Sequence, residues 1–518
     1  MKKEYVNPII RGFYPDPSIC YAEGYFYIVC SSFQFFPGLP LFRSKNMTDW
    51  EPAGHCMTRV SQLDLNEMGA SGGLFAPTIR YHQGRFYVVC TNVGGYGNFL
   101  VYTDDIMSGE WSEPVLIDRP GIDPSLLFDG GKVYFISNGD DDDGVNGISV
   151  CEIDIDTGKV LTKSKCISKG TGGRYLEGPH LYHIGEYYYL LVAEGGTEYG
   201  HMECLLRSKD IYGPYEICPV NPILTNRNLG GYFIQGSGHA DIVEDEEGQW
   251  WMVHLAFRQQ DQWRPFHQLG RETFLEPVFW DEDGWFRVGT DGTSRAAYKV
   301  EEGRCEACHS AEYPKERWAL DKRRAIYVRR PDYQNYRYGE KGCFALKGTD
   351  AKLQSLGNVT FLGMRQQEFE TEFGIKIYGQ TMLEGQHAGI TAYMSERDFF
   401  AVDVCKQSDR YEICCKAVIG NMNVPMESVS MEKVSMQSAG IEQEEILVAI
   451  VTGHQSYEAY AQFPNEEGKK QWQKIGKMEA KYLTSEVTEG FTGVILAAYC
   501  EADEKGNSDY VHFSPLKD

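Results

Sequence analysis

Three carboxylates recur at one spacing. Asp16, Asp123 and Glu177 each stand eight residues ahead of a glycine, Gly24, Gly131 and Gly185, and each glycine is followed three residues later by a tyrosine, Tyr27, Tyr134 and Tyr188. Two further copies, Gly84 with Tyr87 and Gly248 with Trp251, carry Ala76 and Ala240 in the acid's slot. Two carboxylates of different pKa on either side of a bond are the equipment of glycoside hydrolysis: one donates a proton to the leaving oxygen, the other activates water or attacks carbon. A third acid nearby raises the donor's pKa by like-charge repulsion. Asp16 and Asp123 also precede proline, so capping of Asp-Pro turns is the ordinary alternative for each alone. Three acids in register across five copies outweigh it.

The acids need elements that bring them together. Each copy reads as a short strand, a glycine-containing turn and a strand rich in aromatic and β-branched residues, as in DPSICYAEGYFYIVC, which is a β-hairpin signature. Successive glycines are 60, 47, 54 and 63 residues apart. Periods of this size in an all-β chain predict a propeller of four-stranded blades, five in number; solenoid repeats are normally shorter. If the slot lies on the innermost strand of each blade, all five copies face one axis, and Ala76 and Ala240 leave space for a ligand among the acids. The propeller is expected to span residues 1–305, followed by a polar linker over 306–325. Alternating segments such as EFETEFGIKIYG, HAGITAYMS and EILVAIVTG then predict an antiparallel β-sandwich over 326–518. The DDDDG run at 140–144 lacks EF-hand ligand spacing and reads as a solvated loop.

Bulk properties narrow the class. The 518 residues exceed one ordinary core and imply two domains. The formal net charge of -24 disfavours nucleic acid and anionic membranes as partners and also serves solubility. The opening MKKEYVNPII has no signal-peptide apolar run, and no segment approaches the roughly 20 apolar residues of a membrane span. The 15 cysteines, scattered through apparent strands without zinc spacing, read as reduced core thiols, and the cytoplasm is the expected address. No HExxH or P-loop lysine competes with the acids. Phe33, Phe35, Phe36, Phe75 and Trp263 are candidates to stack on sugar rings, with core packing favoured for Phe35 and Phe36. His239, beside the fifth slot, is a candidate to contact substrate or an ion, with a satisfied structural histidine equally weighted. Arg271, between apolar neighbours, calls for a carboxylate partner or substrate hydroxyls.

The motifs NPIIRGFYPDPSI, GGLFAPTIRYHQGRFYV, GIDPSLLFDGGKVYF, LEGPHLY, GSGHADIVE and LGRETFLEPV, with RWALDKRR, EGQHAGITAYM and FTGVILAAY in the second half, resemble glycoside hydrolase family 43, in its two-domain β-xylosidase and α-L-arabinofuranosidase branch. The resemblance implies a five-bladed propeller with a lectin-like, concanavalin-like sandwich appended. It implies Asp16 as general base, Glu177 as general acid and Asp123 as the residue that tunes the acid, acting with inversion, for which the acid and base carboxyls stand roughly 6.5–9.5 Å apart. It further implies Arg271 as a contact to substrate and Asp123, Phe33 at the sugar site, Phe491 closing the pocket from the sandwich, and His239 near the channel centre, bound in some members to calcium. No cofactor is required for the reaction. Phe75 departs from the tryptophan of several members and leaves a smaller stacking platform. Exo-action on small xylo-oligosaccharides, with α-L-arabinofuranosidase or dual activity as alternative and a non-catalytic sugar-binding protein as a distant one, is the resulting expectation, together with a dimer or tetramer.

Overall fold

All five glycine copies close β-hairpins in the computed structural model, which describes residues 3–301, 303–408, 410–432, 445–464, 470–502 and 508–516. In the first three, both central turn residues adopt positive φ: Glu23 and Gly24 at 54° and 80°, Gln83 and Gly84 at 50° and 84°, Gly130 and Gly131 at 56° and 76°. That is the type I′ turn, whose twist matches that of the flanking strands and which glycine makes accessible. Each hairpin extends outward into a four-stranded antiparallel blade. Blade one runs Ser18–Ala22, Tyr25–Val29, Gly38–Ser44, Glu51–Met57; blade three runs Ile122–Asp129, Lys132–Asp140, Asn146–Ile153, Lys165–Ser168. Blade two carries an extra short strand, Gly73–Leu74, ahead of Thr78–His82. Blades four and five begin with Glu177–Ile184 and Ile234–Glu244. The innermost strands of neighbouring blades touch around the ring.

Apolar faces of adjacent blades close on each other. Tyr87 and Val89 of blade two meet Leu126 and Phe135 of blade three, and Tyr189 and Leu205 of blade four meet Ile242 and Met252 of blade five. Each such side chain contributes about 1.5–3 kcal/mol when fully buried.

The second domain is a two-sheet sandwich. One sheet orders Tyr336–Tyr338, Phe344–Lys347, Tyr510–Pro515, Thr371–Tyr378, Glu445–Thr452, Ser456–Pro464 and Lys470–Glu479; the other orders Thr360–Arg365, Ile495–Glu501, His387–Ser395, Asp398–Lys406, Arg410–Ile419 and Met422–Glu432. Period-two alternation places Phe373, Ile375 and Ile377 inside. Helix among the described residues is confined to Ser485–Thr488 and three short 3₁₀ turns. The 15 cysteines are free thiols.

The stretch expected as a linker is packed. Arg304–Cys308 pairs with Ala297–Glu301, which pairs in turn with Lys3–Val6, so this small sheet runs through residue 305. Glu316–Arg317 joins the sandwich beside Thr371, and Trp318 is buried. The domains are joined by the pairing of Tyr327–Val328 with Phe35–Phe36 and by Arg258, which bonds Glu272 of blade five and Glu368 of the sandwich, each at 2.8 Å. Phe35 and Phe36 are therefore core and interface residues, as favoured from sequence.

Candidate active site

The hairpin ladder breaks at one level in every innermost strand. In blade one it begins only at Ser18, beyond Asp16 and Pro17; in blade two pairing jumps from Leu74 to Thr78. In blades three, four and five it jumps from Ile122 to Ser125, from Glu177 to His180 and from Gly238 to Asp241. In blades three to five these register shifts are β-bulges, which re-aim side chains. Pro17, Pro77, Pro124 and Pro179 occupy four of the gaps, where a residue without an N–H leaves no orphaned donor. The bulged residue turns to left-handed φ: Asp16 at 53°, Asp123 at 54°, Gly178 at 59° and His239 at 54°. For the three non-glycine residues this conformation costs of order 1–3 kcal/mol each, a strain typical of functional sites.

This level corrects the glycine count. The count names equivalent positions in blades one to three, but in blade four Gly185 is the first turn residue, and in blade five a longer turn, Asp245–Gln249, places Gly248 fourth. The true equivalents are Gly178 and His239. Glu177 reaches the axis from the residue before the bulge. Ala240 is fully buried against Tyr189, Leu205 and Met252, so it opens no space for a ligand.

The three acids sit in unlike surroundings. Burial alone would raise Asp16, but the Arg271 guanidinium at 2.8 Å, His239 at 4.0 Å and the Ser31 hydroxyl outweigh it and hold the carboxyl below its ordinary value. Asp123 is raised, first by burial and then by ionised Asp16, against His239 and a hydrogen bond from the Gly178 N–H at 3.1 Å. Glu177 is pushed up to about 8, first by burial, then by Asp123 and Asp16, with Arg271 opposing. The surroundings thus displace the two carboxyls in opposite directions, Asp16 toward its ionised form and Glu177 toward its protonated form.

Aromatic rings wall the same pocket. Phe33 stacks on Phe491 with centroids 5.9 Å apart, and Phe75 lies 5.1 Å from Phe33 and 6.0 Å from Phe491. Phe491 comes from the sandwich and is held over the propeller by its own backbone: its N–H donates to Ser71 Oγ at 2.8 Å and its carbonyl accepts from Arg271 Nη2 at 3.2 Å. Arg271 also donates to Thr197 Oγ1 at 3.0 Å. Its carboxylate partner is Asp16, where Asp123 was expected. Trp263 is 82 % exposed and takes no part in this wall.

Sequence reasoning missed two features. Arg80 of blade two bonds Asp241 of blade five at 2.8 Å, Ser18 of blade one at 3.4 Å and His180 of blade four at 2.9 Å. Innermost side chains from four blades meet here near the axis, so this cluster fills the channel at this level. The other is His201, immediately before the strand Met202–Ser208, whose Nε2 lies 3.9 Å from Glu177 Oε1. Arg80, His180 and Asp241 lie within quoted motifs, but nothing in those motifs pairs them, and His201 lies in none.

Calcium suits this centre poorly. It takes six to eight oxygen ligands, whereas His239 offers nitrogen and Asp16 is already engaged by Arg271 and Ser31. Among the described residues no three His, Cys, Asp or Glu side chains form a metal-binding group.

The family model "Glycosyl hydrolases family 43" matches residues 5–286, and "Beta xylosidase C-terminal Concanavalin A-like domain" matches residues 326–517. The chain belongs to glycosyl hydrolase family 43. Among relatives of this family, a non-reducing end alpha-L-arabinofuranosidase of Bacteroides ovatus is 33 % identical over 99 % of this chain and 94 % of its own. A xylosidase/arabinosidase of Butyrivibrio fibrisolvens is 36 % identical over 98 % of each. A solved xylan beta-1,4-xylosidase from Bacillus halodurans superposes with a TM-score of 0.85 at 28 % identity, covering 99 % of this chain and 100 % of its own. Family 43 membership makes this protein a glycoside hydrolase acting on oligosaccharides. No helix of the described residues is long and apolar enough to cross a membrane.

Proposed function

We propose that this family 43 hydrolase is an inverting exo-glycosidase that releases xylose from the non-reducing ends of β-1,4-xylo-oligosaccharides. The observation that carries the reading is the opposite displacement of two carboxyls in one pocket: Asp16 held ionised, Glu177 held protonated. Asp16 takes a proton from water as the water attacks the anomeric carbon. Glu177 gives its proton to the departing oxygen, and Asp123 keeps Glu177 protonated until then. The developing positive charge on the sugar ring meets the ionised Asp16 and the faces of Phe33 and Phe75. The Arg80–Asp241 plug below and Phe491 above favour entry of a chain end only.

A second reading, α-L-arabinofuranosidase alone or with xylosidase activity, is favoured by the activity of the Bacteroides ovatus relative and by the small Phe75 platform. Assays with aryl β-xyloside and aryl α-L-arabinofuranoside separate the two, and failure to cleave either sinks both. The free thiols support residence in a reducing compartment, the cytoplasm. A homodimer or tetramer belongs to the same proposal and is read by light scattering.

A further inference from the structure

His201 is fully buried, yet its Nε2 has no hydrogen-bond partner. Its Nδ1 lies 3.1 Å from the carbonyl oxygen of Gly236. A carbonyl only accepts, so Nδ1 must carry the hydrogen. Burial, ahead of every other influence, holds the imidazole neutral around pH 7, with a value pushed down to about 3. Nε2 is therefore a bare lone pair. The ring packs closely on the innermost strand of blade five: a Cβ on Gly238 would stand 2.8 Å from it. The lone pair faces Glu177 Oε1 at 3.9 Å.

We propose that His201 is a positioning residue that selects the protonated form of Glu177. A lone pair can accept a hydrogen bond from a carboxylic acid but repels a carboxylate, so the contact closes only while Glu177 carries its proton. The proton stays on Glu177 until the glycosidic oxygen takes it; His201 never holds it. After the leaving group departs, the Glu177 carboxylate faces a lone pair, which favours its reprotonation from solvent. The other groups facing Glu177 are Asp123 from blade three, Asp16 from blade one and Arg271 from blade five. Those facing His201 are His239 and Arg271 from blade five and Asp16 from blade one. His201 brings Glu177 a buried acceptor nitrogen that has no other partner. The inference rests on Glu177 being the general acid.

The test compares His201→Phe, which removes the acceptor, with His201→Gln, whose amide oxygen restores one. kcat/KM is measured from pH 5 to 10 on an alkyl pentoside, a poor leaving group, and on its nitrophenyl counterpart. His201→Phe should lose about tenfold more on the alkyl substrate, and its alkaline limb should move down by about one pH unit. His201→Gln should recover most of both. Equal losses on the two substrates, or an unmoved limb, would overturn the proposal. If His201→Phe does not fold, His201→Asn, which keeps a donor for Gly236 and withdraws the acceptor from Glu177, carries the same two readouts. A wild-type enzyme inactive on every pentoside would sink the functional reading instead, so the two failures are distinguishable.

Discussion

The alkaline limb of the pH–rate profile should belong to Glu177, and Asp123→Asn should move it. Glu177 is displaced from its ordinary 4.5 to about 8, with burial first, Asp123 second and Asp16 third among the causes. That displacement is about 5 kcal/mol of preference for the protonated form. Asparagine keeps the shape of Asp123, and its carbonyl oxygen can still accept from the Gly178 N–H, but the negative charge is gone. Removing the second of three raising causes should withdraw about 1–2 kcal/mol, or roughly one pH unit. At pH 8 the wild-type acid is half protonated, and the variant's would be about one-tenth protonated. kcat/KM at pH 8, relative to each enzyme's own plateau, should then fall about fivefold further in Asp123→Asn. The assay is kcat/KM from pH 5 to 10 on xylobiose, with a nitrophenyl xyloside as the control that needs less proton donation. A limb that stays in place, or moves up, would refute the idea that Asp123 acts on Glu177 through its charge.

Asp16→Ala should lower hydrolysis on the order of 10³-fold while leaving the circular dichroism spectrum unchanged, because it removes the base; activity within tenfold of wild type would remove Asp16 from that role. Glu177→Ala should cost natural glycosides far more than nitrophenyl glycosides, and equal losses on both would count against Glu177 as the acid. Glu177→Gln should be more stable than wild type. Glu177 has a raised folded value, so the folded state holds a proton the unfolded chain has released, and stability falls as pH rises from about 4.5 to about 8. The gain from glutamine should accordingly be about 2 kcal/mol at pH 6 and larger at pH 8. Melting temperatures at the two pH values check this, and a difference independent of pH would contradict it.

The fold was legible because one device, the glycine hairpin, was written five times, and turn chemistry is local. The blade count needed no long-range information. The register of the site was less legible. A turn with Gly185 in first position and a five-residue turn before Trp250 slide the glycine relative to the bulge, so the count hit Asp16, Ala76 and Asp123, ran one residue early at Glu177 and one late at Ala240. Proline in the gap of four blades marks the bulge more faithfully than glycine in the turn. Pairings between distant segments were the hardest to read. Arg271 meets Asp16 because blade five closes the ring against blade one, and neither sequence nor resemblance named that contact. His201 and the Arg80–Asp241 plug rest on single residues at positions where the repeat has no fixed type. Trp263 misled because an aromatic is as much at home on an exposed loop as in a sugar site. In the sandwich, Arg410–Ile419 hides its inward side, Tyr411, Ile413, Cys415 and Ala417, behind an outward-leaning Cys414 that blurs the alternation.

The central claim is that Glu177 carries a proton at neutral pH. Infrared difference spectroscopy reads a protonated carboxyl directly, through its carbonyl stretch. The wild-type enzyme should show such a band at pH 6.5 that disappears with a midpoint near 8, and Glu177→Gln should lack it. A spectrum in which no carboxyl titrates between pH 6 and 10, or one whose band survives in Glu177→Gln, would contradict the assignment of Glu177 as the acid.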